Sequence, residues 1–118
     1  MQSFTNLEAW KSGMDLVEHV YALTAGFPSE ERYGLPSQIR KAANSIVANT
    51  AEGFGRYTYA DKANKYVIAR GECAEVETFL LIAIRIGFST ETSIQTALLC
   101  VRRTGRLLSG LISACRRS

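Results

Sequence analysis

The chain has only two prolines in 118 residues, a single histidine, and three cysteines that never stand in a C-x-x-C pair. So few prolines, with nine glycines, argue against both disorder and a turn-rich all-β fold. An odd number of widely separated cysteines fits neither a disulfide framework nor a zinc site, and Cys73, Cys100 and Cys115 read instead as small buried thiols. His19 has no acidic or cysteine partner at ligand spacing and reads as a helix-surface histidine. Long apolar runs are also missing: the longest candidate, Phe79 to Ile84, is closed by Arg85, whereas a membrane helix needs roughly 20 residues. No basic start with a long apolar stretch follows Met1, so neither a secretory signal nor a membrane partner is expected, and the cytoplasm is the expected location. Acid is absent from the last stretch. Residues 92–118 carry five arginines and no carboxylate, a charge of +5 against −2 for residues 1–91. A basic tail of this kind is the one compositional hint of a polyanionic partner.

What is present is hydrophobic periodicity near 3.6 residues. With 47% hydrophobic and 21% charged residues, the chain is expected to fold as one domain over residues 1–118. Trp10, Met14, Val17 and Tyr21, joined by Leu16, Val20 and Leu23, predict a helix from about Leu7 to Ala25, with Asn6 as N-cap and Gly26-Phe27-Pro28 as stop signals. A second helix is expected from Pro36, carrying Ile39, Ala43, Ile46, Val47 and Thr50, and ending near Gly53-Phe54-Gly55, where glycine accepts a left-handed C-cap. Thr58 to Gly87 contains no proline and predicts one long helix, with Asp61 and Lys65 paired at i,i+4 and an end that is apolar all round. Thr92 and Gln95, spaced as a capping box, open a fourth helix that runs to about Cys115 with Ile94, Leu98, Val101, Leu108, Leu111, Ile112 and Cys115 inside. Short connectors make an all-α, antiparallel up-down-up-down four-helix bundle the simplest topology. The apolar end of the third helix, with Phe79, Leu80, Ile82 and Ile84, needs cover on more than one flank and is the expected contact in a homo-oligomer.

Three constellations stand out. Gln38, Ser45, Asn49, Glu52 and Arg56 fall within roughly 60° of one another on the second helix, either as a solvated edge or as a satisfied polar seam between helices or subunits. Arg102, Arg103, Arg106 and Arg117 form a basic strip on the fourth helix, opposite its apolar arc. That strip is open to three accounts: ordinary helix-forming arginines, phosphate contacts to nucleic acid, or the polar face of a membrane-surface helix, the last weakened because the apolar arc is needed for the core. Gly13, Gly71, Gly105 and Gly110, costly inside helices, suggest close approach of neighbouring backbones. The Gly53-Phe54-Gly55-Arg56 stretch is no phosphate loop, lacking a preceding strand and a Lys-Ser/Thr pair. No His–Cys or Ser–His–Asp set is visible. Glu72, Glu75 and Glu77 spread over roughly 200° of helix, so no enzyme activity and no metal or cofactor are expected.

The stretches Phe27-Pro28, Tyr33-Gly34-Leu35, Gln38-Ile39-Arg40-Lys41-Ala42-Ala43, Ser45-Ile46, Asn49, Ala51-Glu52-Gly53 and Arg56 resemble the four-helix-bundle proteins encoded in intervening sequences of bacterial large-subunit ribosomal RNA genes. Leu7, Trp10 and Lys11 fit that family's opening, and Ile68-Ala69-Arg70-Gly71 with Glu75 and Glu77 is similar to its third-helix signature, so the match covers most of residues 4–88. Thr50 stands where an aliphatic residue is usual, and Glu72 where a serine usually follows the glycine. The resemblance implies a ring-like homo-oligomer, commonly a pentamer, without established enzymatic activity. It also implies kinship to accessory proteins of diversity-generating retroelements, which bind a reverse transcriptase and its RNA or DNA through a basic surface. The expected function is therefore a non-catalytic oligomeric bundle that binds nucleic acid or a nucleoprotein partner; the alternative is a structural oligomer or protein adaptor with no nucleic-acid binding.

Overall fold

The computed structural model describes residues 3–28 and 34–118. The fold is all-α, with α1 at Glu8–Thr24, α2 at Leu35–Gly55, α3 at Tyr59–Arg85 and α4 at Glu91–Arg117, preceded by a 3-10 turn at Phe4–Asn6. Each helix packs against two neighbours, α1 with α2 and α4, and α3 with α2 and α4, giving a four-helix bundle 46 Å long and about 21–22 Å across.

Two threonines start the long helices by the same device. Thr58 Oγ1 accepts from the Asp61 amide at 3.1 Å, and Thr90 Oγ1 accepts from the Ser93 amide at 3.1 Å. The α4 cap is thus Thr90 with Ser93 rather than Thr92 with Gln95, because the hydroxyl must lie outside the helix to reach an orphan amide. Asn6 does not cap α1 either: it lies in the 3-10 turn, and Leu7 holds the N-cap place without a side-chain bond. At the other end of α3, Gly87 adopts φ +82°, Phe88 N–H bonds to Ala83 O at 2.9 Å and Gly87 N–H to Ile84 O at 3.1 Å. This pair of bonds is a Schellman closure. It turns the chain so that Phe88 meets Phe27, with ring centroids 5.7 Å apart.

α1 buries only part of the expected stripe: Leu16 and Val20 are in the core, with Val17 and Leu23 packed against it. Ala9, Ser12, Gly13, Leu16, Val20 and Thr24 face inward, while Met14 and Tyr21 are exposed. Beside Leu16 and Val20 the small Ala9, Ser12 and Gly13 take the inward places because α1 lies close to both neighbours: a Cβ on Gly13 would come within 2.7 Å of Val47 Cγ1. Ser12 Oγ and Thr104 Oγ1, both buried, bond to each other at 2.7 Å across this contact. Tyr21, turned outward, accepts a hydrogen bond from Asn44 Nδ2 at 2.9 Å and lies beneath the Arg40 guanidinium.

Of the other interior glycines, Gly71 and Gly110 have open space where a Cβ would be, and one on Gly105 would meet only Cys73 Cβ at 3.9 Å, so close packing accounts for Gly13 alone among the four. Gly53 is the second glycine that packing requires. It lies inside α2, not at a left-handed cap, and a Cβ there would meet the Tyr66 ring at 2.6 Å. Thr50 is wholly buried where an aliphatic residue would be expected, and its hydroxyl is satisfied by donating to Ile46 O at 2.7 Å. Among the described residues, no helix is long and apolar enough to cross a membrane.

Candidate functional site

α3 runs between α2 and α4, and each of its two flanks forms a groove. On the α2 flank, a groove of about 370 Å³ is lined by Gln38, Lys41, Ser45, Glu72, Glu75 and Phe79. Asn49 Nδ2 donates to Ser45 Oγ at 3.0 Å and to Ser45 O at 2.9 Å. One turn on, Glu52 takes Lys65 of α3 at 2.9 Å and Arg56 at 3.7 Å. The Lys65 hydrogen bond, with its charge, holds the Glu52 carboxyl below the usual range. Of the five polar residues of α2, Gln38 and Ser45 line this groove and Glu52 reaches across to Lys65, whereas Asn49 and Arg56 bond within α2, to Ser45 and Glu52. Lys65 turns to Glu52 instead of Asp61, since the crossing to α2 brings a second helix within its reach. Glu72 and Glu75 both line this groove: residues three apart on a helix are only 60° apart, and the spread of roughly 200° comes from Glu77. Burial raises the Glu72 pKa, with the charge and hydrogen bond of Glu75 adding to it and Lys41 opposing.

On the α4 flank, a groove of about 410 Å³ is lined by Arg70, Cys73, Ala74, Glu77, Val101, Arg102, Gly105, Arg106 and Ser109. Two cross-helix contacts set its register. Arg102 Nε donates to Glu77 Oε2 at 3.1 Å, and Arg70 Nη1 donates to Ser109 Oγ at 3.3 Å. Burial pushes the Cys73 thiol up to about 12, so the floor is neutral. Of the four arginines singled out in the sequence, Arg102 and Arg106 line this groove, while Arg103 and Arg117 are exposed outside it. Arg70, from α3, completes the set. It stands in the third-helix signature, but only the pairing of α3 with α4 brings it to the arginines.

The apolar end of α3 divides. Leu80 is wholly buried in the bundle's own core and cannot reach a second subunit, because Val76, Leu80 and Ala83 make the inward face. Phe79 and Ile84 are half-buried, and Ile82 is 39% exposed. Ile68, Leu81 and Ile86 are exposed as well, and none of them was among the expected contacts. Ile68 and Ile86 share a face with Phe79 and Ile82, the four falling within about 60° on a helix, whereas Leu81 lies roughly 100° away from Ile82.

The model of the family described as 23S rRNA-intervening sequence protein matches residues 5–110, which takes in most of α4. A solved structure of a protein with unknown function from the S23 ribosomal protein family of Bacteroides thetaiotaomicron VPI-5482 superposes with a TM-score of 0.82 at 24% identity, covering 89% of this chain and 95% of that one. At that identity it establishes the shared fold. No curated protein matches the chain.

Proposed function

The chain belongs to the 23S rRNA-intervening sequence protein family, and from that premise we propose that it is a non-catalytic, self-assembling bundle that binds nucleic acid through its arginines. One observation carries this: the α3–α4 groove sets three guanidiniums, Arg70, Arg102 and Arg106, against a single carboxylate, Glu77. Guanidinium groups suit phosphate oxygens, and copies of the groove in an oligomer would multiply the charge presented to a backbone. A nucleoprotein such as a reverse transcriptase with its template offers the same phosphates. Self-assembly is supported by the exposed Ile68, Leu81 and Ile82 of α3 and Ile86 at its C-cap, 39–52% accessible. A ring, five-fold by family resemblance, would cover them.

The test is binding of a structured RNA hairpin at several salt concentrations. Affinity that falls steeply with salt and with charge reversal of Arg102 and Arg106 is the expected result; indifference to both removes the proposal. The same exposed apolar residues favour a second reading, a protein adaptor. It predicts that a protein partner is still recovered after nuclease treatment.

A further inference from the structure

We propose that the α3–α4 groove is a phosphate cradle in which Arg70 and Arg106 are the primary contacts, and that Glu77 is a built-in brake, holding Arg102 until a backbone phosphate displaces it. This rests on the nucleic-acid reading above and says where on the molecule, and under what restraint, the phosphate is taken.

Four observations converge. The cations stand on both walls: Arg70 lies opposite Ser109, Arg102 opposite Glu77, and Arg106 between them on α4. Arg102 to Ser109 is seven residues, about 10 Å at 1.5 Å per residue, a length that matches a short run of nucleic-acid backbone. Second, neither Arg70 nor Arg106 pairs with a carboxylate among the described residues. Arg70 meets only a hydroxyl, which orients it without neutralising it.

Third, the floor neither competes nor blocks. Cys73 stays a neutral thiol, Ala74 and Val101 are apolar, and Gly105 adds no side chain although a Cβ there would have room. A charge-assisted bond above such a floor is less screened than one in open water. Fourth, Glu77 is the one anion in the groove, and its carboxylate takes up Arg102 at 3.1 Å while repelling an incoming phosphate. Arg103 and Arg117 lie outside and are predicted to add only diffuse attraction.

The experiment measures affinity of the full chain for a 20-nucleotide single-stranded RNA between 50 and 200 mM salt, with Arg70→Gln, Arg103→Gln and Glu77→Gln beside the parent chain. Arg70 and Arg103 are exposed and Glu77 is half-buried, and thermal unfolding checks that each variant folds. Arg70→Gln should bind about tenfold more weakly with a salt slope shallower by about 0.7, Arg103→Gln should stay within about twofold, and Glu77→Gln should bind several-fold more tightly. Equal, small effects of Arg70→Gln and Arg103→Gln, with salt-dependent binding intact, would overturn the cradle and leave the nucleic-acid reading standing. Weaker binding by Glu77→Gln would overturn the brake. No salt-dependent binding by the parent chain would overturn the reading itself, and binding to phosphatidylserine vesicles in preference to RNA would assign the arginines to a lipid surface and overturn the cradle.

Discussion

On its α2 side α3 presents Glu72 and Glu75 to Lys41, Gln38 and Ser45, whereas on its α4 side Arg70, Arg102 and Arg106 meet one carboxylate. The first flank resolves most of its polarity inside the chain: Asn49 bonds Ser45, Glu52 bonds Lys65, and Lys41 opposes the paired carboxylates. The second retains a positive excess. Two grooves of similar size on one helix thus differ in what they leave unsatisfied, and an unsatisfied charge on a surface is where an outside ligand gains most.

The sharpest way to break this contrast is charge reversal. Exchanging both Arg70 and Arg106 for Glu should lower RNA affinity by at least about 100-fold in an anisotropy titration, with the thermal midpoint nearly unchanged because both side chains are exposed. The same pair of changes at Gln38 and Lys41 should leave affinity within a few-fold.

Glycines sharpen the contrast in packing. Gly53→Ala on the α2 flank drives a methyl into the Tyr66 ring and should destabilise the fold by about 1–3 kcal/mol in urea denaturation. Gly105→Ala on the α4 flank meets only Cys73 Cβ at ordinary contact and should stabilise by up to about 1 kcal/mol, through helix propensity. Two losses of similar size would show the α4 flank to be as closed as the other.

The smallest effect is in pH. A carboxyl whose folded pKa is raised favours folding fully below its ordinary value of 4.5 and loses that contribution as pH rises through the folded value. Glu72→Gln should therefore flatten the stability profile just above pH 4.5, read from thermal midpoints between pH 4 and 7. A variant with the parent's profile would mean that the Glu72–Glu75 pair does not feel its groove.

Most of the helices were legible because hydrophobic spacing and proline or glycine punctuation are local signals. The inner faces of α2 and α4 followed from Ile39, Ala43, Ile46 and Thr50, and from Ile94, Leu98, Val101, Leu108 and Ile112. On α1 spacing also picks out the buried Leu16 and Val20, but size selects the rest of its inner face: Ser12 and Gly13 fit against Thr104 and Val47, while Met14 and Tyr21 are exposed. The basic character of α4 was visible as composition. Its groove was not, since Arg70 and Glu77 reach it only through the antiparallel pairing of α3 with α4. Leu80 belongs to the core instead of an oligomer contact for the complementary reason: in a run that is apolar all round, periodicity cannot say which residue the core takes.

The slope of log affinity against log salt for a single-stranded RNA tests the central claim most directly. Each phosphate neutralised on a single strand contributes about −0.7, so three groove arginines predict a slope near −2 per protomer engaged. A slope near zero would contradict the account.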